Sequence, residues 1–121
     1  AMTAGIETLK AVSEPGVWAS LESTADALTA GIGQAARTAG VSIYQTRVGT
    51  MFCTYFTNEA VTNWETASQA DTDRFAAFFC AMLAGGVYLA PSQFEAGFVS
   101  TAHKRSEINK TLAVAQQVFR S

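Results

Sequence analysis

The stretch VSIYQTRVGTMFCTYFT, residues 41–57, decides what kind of fold this chain of 121 residues forms. Its two halves, residues 41–48 and 51–57, are rich in β-branched and aromatic residues, which favour strands. Gly49 and Thr50 separate them, and glycine at the first position of a two-residue loop is typical of a type II′ hairpin. Both faces of each strand carry apolar side chains. We therefore expect a β-hairpin that is covered on both faces, by a layer of helices on one and by a second, unidentified layer on the other.

Two helices are predicted before the hairpin. Residues 1–12 carry an apolar stripe and begin without an N-cap, as if the chain cuts into a longer helix, and SEPG at 13–16 forms a turn. The second helix ends at Gly40, although Gly31 and Gly33 weaken its middle by about 1 kcal/mol each relative to alanine. Its apolar stripe repeats every three or four residues: Trp18, Leu21, Ala25, Leu28, Ile32 and Ala35.

Helical and extended patterns alternate after the hairpin. Residues 58–70 are predicted to be a polar loop in which Trp64 is a packed anchor. Asp71 is the expected N-cap of the third helix, which ends at two glycines and carries the stripe Phe75, Phe78, Phe79, Met82 and Leu83.

The last third of the chain begins with a predicted buried strand at 87–90, which Pro91 ends. Ser106 is the expected N-cap of a final helix with the stripe Ile108, Leu112, Ala115 and Phe119. The order of elements predicts an α+β fold, with a small, largely antiparallel sheet and helices packed on one face.

Composition narrows the possible functions. Apolar residues make up 49 % of the chain. Charged residues make up 15 %, whereas about a quarter of the residues are charged in a typical soluble domain. Either a partner covers part of the surface or apolar loops are scattered over it. The net charge of −2 without a basic run argues against nucleic-acid binding. No apolar run reaches the length of about 20 residues that spans a membrane, and the N-terminus has no signal-peptide pattern.

The reactive side chains form no recognisable constellation. Cys53 and Cys80 have no metal-ligand spacing and are expected to be buried free thiols in a reduced, cytosolic type of chain. His103 is expected to be a solvated surface residue, and no metal site is predicted. None of the three lysines, Lys10, Lys104 and Lys110, lies in the apolar setting that an imine-forming lysine needs.

Glu95 is the exception, because it lies among apolar residues at 94–99. A charge in such company is costly unless it is paired or used. Glu95 therefore either points to water from a surface loop or belongs to a site whose other half lies elsewhere.

Three segments resemble the glutamate-1-semialdehyde 2,1-aminomutase family of class III pyridoxal-phosphate aminotransferases, which have the aspartate-aminotransferase fold. They are AMTAGIETLK (1–10), RVGTMFCTYFT (47–57) and DTDRFAAFFCAMLAGGVYLAPSQFEAGFVSTAH (71–103), in which PSQFEAGF is the most specific part. The resemblance implies that residues 1–12 are the end of a linking helix. Residues 13–121 would then be the C-terminal small domain of a larger enzyme.

For the full-length protein, the resemblance implies an intramolecular aminotransferase that converts glutamate-1-semialdehyde to 5-aminolevulinate in tetrapyrrole biosynthesis. Pyridoxal 5′-phosphate or pyridoxamine 5′-phosphate would bind to a large domain that also holds the cofactor lysine, and the chain alone would be inactive and bind no cofactor. A homodimer in the bacterial cytoplasm or the plastid stroma is expected, with a small-molecule substrate and no nucleic acid or membrane partner.

The resemblance also implies site residues. Glu95 would face the active-site cleft near substrate and cofactor, disfavour a carboxylate there and hydrogen-bond an amino group. Ser92 and Gln93 are weaker candidates in the same loop, and no catalytic residue is expected in this chain. Two alternatives stay open: a domain of another class III enzyme, such as an ω-aminotransferase or a racemase, and a stand-alone binding module.

Overall fold

A computed structural model describes all 121 residues. The helices are α1 (Met2–Ser13), α2 (Val17–Thr38), α3 (Trp64–Ala67), α4 (Thr72–Ala84) and α5 (Arg105–Arg120), and the strands are β1 (Tyr44–Val48), β2 (Met51–Tyr55) and β3 (Gly97–Phe98). None of the helices combines the length and the hydropathy needed to cross a membrane.

The predicted hairpin is confirmed, and the sheet is antiparallel in the order β1-β2-β3. Gly49 has a φ of 58°, and no residue other than glycine has a positive φ, so Thr50 does not. A positive φ at the first central residue alone distinguishes a type II′ turn from a type I′ turn. The turn therefore matches the right-handed twist of the two strands.

The strand predicted at residues 87–90 is wrong. These residues are irregular, because the N–H of Val87 donates to the carbonyl of Met82 and draws the segment onto the end of α4. Val87 and Leu89 still pack against the core. The third strand is instead Gly97–Phe98, which pairs with Phe52 and Met51.

The two sides of the sheet have different neighbours. Cross-strand partners share a side, so Gln45, Arg47, Phe52 and Thr54 form one side, which we call the covered side. Arg47 Nη2 donates to Asp26 Oδ1 of α2 at 2.8 Å from this side. The opposite or open side makes no hydrogen bond or ion pair to a helix and carries Tyr44, Thr46, Val48, Met51, Cys53, Tyr55 and Phe98. Helices on one face of an antiparallel sheet are the predicted α+β arrangement.

The core lies between the covered side and the helices. Phe56, directly after β2, lies at its centre, with ring centroids 5.4 Å from Phe78 and 6.3 Å from Phe119. Eleven buried residues form the cluster: Leu28, Ile32, Ala35, Ala36, Phe56, Phe75, Phe78, Met82, Ile108, Ala115 and Phe119. The predicted stripes of α2, α4 and α5 thus supply nearly all of the core.

Close packing of α2 against α5 explains a glycine in the middle of a helix. A β-carbon at Gly31 would lie 2.5 Å from Leu112 Cδ2. The glycine costs helix propensity, but its missing side chain makes room for Leu112.

Two predictions about aromatic residues are wrong. Trp18 is 58 % exposed because it lies in the first turn of α2, before the part of the helix that the core covers. Residues 58–70 contain the short helix α3, which a capping box between Asn63 and Thr66 closes. Trp64 begins that helix and is 68 % exposed, so it is not a packed anchor.

Three smaller predictions also need correction. Cys80 is exposed, because it lies two residues after Phe78 and a two-residue step turns a side chain to the other face of a helix. Leu83 is exposed at the edge of the α4 stripe. The last helix has Lys104 as its N-cap rather than Ser106, because the Glu107 carboxylate accepts the Lys104 N–H at 2.9 Å.

Candidate functional site

A groove of about 390 Å³ opens along the edge of β2. Cys53 and Thr54 form the strand side, and Phe75 and Phe78 of α4 form an apolar wall. The segment 88–98 closes the remaining side, with Ser92, Gln93 and Glu95 among its lining residues. Ser92, Gln93 and Glu95, the three site residues that the family resemblance implies, thus line one groove.

Ser92 shapes the loop that carries Glu95. Its Oγ accepts the N–H of Phe94 at 3.2 Å, and its carbonyl accepts the N–H of Glu95 at 3.1 Å. Serine favours this kind of local side-chain-to-backbone bond. The backbone of residues 92–95 is therefore held in a tight turn.

Gln93 connects this loop to the core. Its side chain is 3 % exposed, its Oε1 accepts the N–H of Phe56 at 3.3 Å, and its Nε2 donates to the carbonyl of Ala70 at 3.4 Å. Burying an amide is costly unless its polar atoms are hydrogen-bonded, and here both ends are.

Glu95 lies at the mouth of the groove. Its carbonyl accepts a hydrogen bond from the Cys53 thiol at 3.6 Å, whereas its carboxylate makes no hydrogen bond or ion pair within the chain. The side chain is exposed, so the chain itself imposes no burial cost on the charge. A free carboxylate is therefore presented beside an apolar wall.

The electrostatics of the groove are simple. Glu95 is its one carboxylate, and no lysine, arginine or histidine lines it. Nearby, burial raises the pKa of Tyr55 above its usual value, and the neighbouring Cys53 thiol contributes to the rise. No group of three His, Cys, Asp or Glu side chains is placed to hold a metal ion.

The groove does not fit pyridoxal phosphate by itself, because it offers neither an amine for the aldehyde nor a cation for the phosphate. Lys10 lies on α1 and pairs with Glu7 at 2.8 Å. Lys104 Nζ donates to the carbonyl of Thr101 at 2.6 Å, and Lys110 is exposed on α5. His103 is exposed, as predicted, and its Nδ1 accepts the N–H of Ser100.

One contact in the loop was not predicted from the sequence. The ring of Phe94 meets that of Trp64 edge-on, with centroids 5.1 Å apart, so α3 braces the loop next to Glu95. A tryptophan in a polar segment is the one sequence feature that had drawn attention to Trp64.

Curated relatives match the chain along its whole length. Glutamate-1-semialdehyde 2,1-aminomutase of Citrifermentans bemidjiense is 48 % identical over 121 residues, and that of Thermodesulfovibrio yellowstonii is 50 % identical over 120 residues. These matches cover 100 % and 99 % of the chain but 28 % of each relative. The chain is homologous to the C-terminal part of glutamate-1-semialdehyde 2,1-aminomutase. No protein-family model matches it.

Solved structures agree on the fold. An omega-transaminase from Sphaerobacter thermophilus has a TM-score of 0.79 at 21 % identity, over 99 % of this chain and 28 % of its own length. The FumI protein of Sphingopyxis sp. MTA144, in its PLP internal aldimine form, has a TM-score of 0.76 at 27 % identity, over 98 % of this chain and 26 % of its own. The predicted membership in the pyridoxal-phosphate aminotransferase fold is confirmed.

Proposed function

We propose that the full-length protein containing this chain converts glutamate-1-semialdehyde to 5-aminolevulinate and so supplies tetrapyrrole biosynthesis. The observation that carries this proposal is the identity of 48–50 % to aminomutases over essentially the whole chain. The fold neighbours support a transaminase-like enzyme more broadly.

The proposal assigns the cofactor to another part of the same protein. The chain spans 28 % of its relatives' length, and its groove lacks the groups that pyridoxal phosphate needs. We propose that a large domain supplies the cofactor lysine and phosphate contacts and that two full-length subunits form a dimer. The chain alone would then form no saturable imine with pyridoxal phosphate, which an absorbance titration tests; a saturable imine band would contradict it.

The open side of the sheet and α1 are the proposed contact with that large domain. Val48, Met51 and Phe98 are exposed together on the open side. Helix α1 buries none of its residues, although Met2, Ile6 and Leu9 form an apolar stripe. Apolar surface of this kind is typical of a face that another part of the protein covers.

Glu95 is the proposed selectivity residue. A carboxylate without a partner repels a substrate carboxylate that approaches the groove mouth, and it accepts a hydrogen bond from an amino group. Such a charge would favour a reaction intermediate that presents an amine to this wall. It would also disfavour amino acids that place a carboxylate there.

The test is an assay of the full-length protein with glutamate-1-semialdehyde. We expect 5-aminolevulinate as the product. Absence of 5-aminolevulinate together with efficient transamination of other amines would overturn the proposal in favour of a class III aminotransferase.

The role of Glu95 is tested by Glu95→Gln in the full-length protein. Loss of one hydrogen bond to a charged group corresponds to a fall in turnover of about ten- to a hundredfold, with unchanged thermal unfolding. Glu59→Gln is the matched control, since Glu59 is also exposed but lies outside the groove. Equal kinetics for the two variants would show that Glu95 is only a loop residue.

A further inference from the structure

The segment that carries Glu95 runs antiparallel to β2 and is attached to it at two points. Met51 pairs with Phe98 and Phe52 with Gly97, so paired residue numbers add up to 149. The same sum joins Phe56 to Gln93, which are hydrogen-bonded. Along the chain, the segment is therefore attached to β2 at Gln93, separates from it, and pairs with it again at Gly97, and Glu95 lies between these two points.

At Gln93, a side-chain oxygen takes the place of the backbone carbonyl that a neighbouring strand would offer. The N–H of Phe56 has no backbone partner on this edge, and the Oε1 of Gln93 accepts it instead. The carbonyl of Phe56 accepts the N–H of Asp71 at 2.9 Å, and Gln93 Nε2 donates to the carbonyl of Ala70, the residue before Asp71. One amide thus connects the end of β2, the start of α4 and the Glu95 loop.

Between these two points of attachment the backbone bows outward. Phe94 and Glu95 are exposed there, and one further bond from β2 reaches the loop, from the Cys53 thiol to the carbonyl of Glu95. Thiol hydrogen bonds are weak. Ser92 and Trp64 shape the loop locally, whereas its attachment to β2 depends mainly on the strand pairing at Gly97 and on the amide at Gln93.

We propose that Gln93 is a positioning residue, which sets the place of the Glu95 carboxylate at the groove mouth. The test of this role by enzyme activity rests on the proposed function, whereas the test by hydrogen exchange does not. The role needs an acceptor and a donor on one side chain. Leucine has neither, and glutamate keeps the acceptor for Phe56 but loses the donor to Ala70.

The structural test is hydrogen exchange in the full-length protein. Gln93→Leu removes the partner of a buried N–H, so we expect the amides of Phe56 and Glu95 to exchange about five- to a hundredfold faster. Gln117→Leu, on the exposed face of α5, is the control and should leave both rates unchanged. Unchanged exchange in Gln93→Leu would overturn the proposal.

The functional test is a double-mutant cycle with Glu95→Gln. If Gln93 acts through Glu95, Gln93→Leu lowers kcat/KM about tenfold in the parent protein and barely further in Glu95→Gln. An equal loss in both backgrounds would overturn the proposal. If Gln93→Leu does not fold, Gln93→Glu serves in the same cycle. Gln93→Leu could exchange faster while the parent protein makes no 5-aminolevulinate. That result would overturn the proposed function and support the attachment of the loop through Gln93.

Discussion

The two sides of the three-stranded sheet differ in what covers them. On the covered side, Arg47 pairs with Asp26 of α2 and Phe52 packs against the core. On the open side, Val48 and Met51 face each other across the hairpin and Phe98 continues the row, all three exposed. The sequence has apolar residues for both sides, but the chain provides helices for only one.

This difference gives the low charge content a physical meaning. Charged residues are 15 % of the chain, and the exposed apolar residues are not scattered evenly. Six of the eleven exposed large apolar residues lie on α1 or on the open side: Met2, Ile6, Leu9, Val48, Met51 and Phe98. Of the two explanations for the composition, a surface that another part of the protein covers fits this distribution better than scattered apolar loops.

The sharpest test of the difference compares two methionines. Met82 is fully buried in the core and Met51 is 42 % exposed on the open side. Met82→Ala should cost about 2–5 kcal/mol of unfolding free energy, and Met51→Ala less than about 1 kcal/mol. Urea denaturation followed by circular dichroism measures both. Equal losses would mean that the open side is part of the core.

Phe98 tests what covers the open side. It is 62 % exposed in this chain. Phe98→Ser should therefore cost at most about 0.5 kcal/mol in the 121-residue chain but about 2 kcal/mol in the full-length protein, where we propose that Phe98 is buried. The urea midpoints of the two proteins, each against its own parent, give the comparison. A small effect in both would remove Phe98 from the proposed contact.

A pair of glycines extends the comparison to the helices. A β-carbon at Gly31 of α2 would meet Leu112, whereas one at Gly5 of α1 would meet nothing within 4 Å. Gly5→Ala should raise stability by up to about 1 kcal/mol through helix propensity. Gly31→Ala should lower stability by about 1 kcal/mol, because the free energy needed to displace Leu112 exceeds the gain in helix propensity. Stabilisation by both variants would contradict the close packing of α2 and α5.

The smallest expected effect concerns the start of α5. The Ser106 hydroxyl and nearby backbone N–H groups hydrogen-bond the Glu107 carboxylate and lower its pKa. A lowered pKa means that the stabilisation is present above the unfolded-state pKa and is lost as pH falls through the folded-state pKa. Glu107→Gln should therefore lower the Tm slightly at pH 7 and not in acid below that pKa. Glu59→Gln is the control; a pH-independent difference would contradict the assignment.

Much of the fold was predictable because apolar residues recur at regular spacing within its main helices and strands. The stripes of α2, α4 and α5 recur at helical spacing, and the hairpin has alternating strands around a glycine turn, so each signal extends over many residues. The two-residue strand Gly97–Phe98 carries no period. It exists because Phe52 pairs with Gly97 and its ring occupies the space where a side chain there would lie.

The site was predictable only in part. Resemblance to a family placed Ser92, Gln93 and Glu95 in one loop, and the structure places all three on one groove. The partners of Gln93 are Ala70 and Phe56, 23 and 37 residues away, and no local pattern predicts such a contact. Trp64 and Phe94 meet for the same reason, through the fold rather than through spacing.

The exposure of Trp18 and Trp64 gives the chain an unusual optical behaviour. Both indoles are already in water in the folded state, so unfolding changes their surroundings little and should shift their emission wavelength only slightly. Trp64 nevertheless touches Phe94, next to Glu95. In a Trp18→Phe variant, the remaining emission would therefore report the contact between Trp64 and Phe94, and so the position of the groove loop.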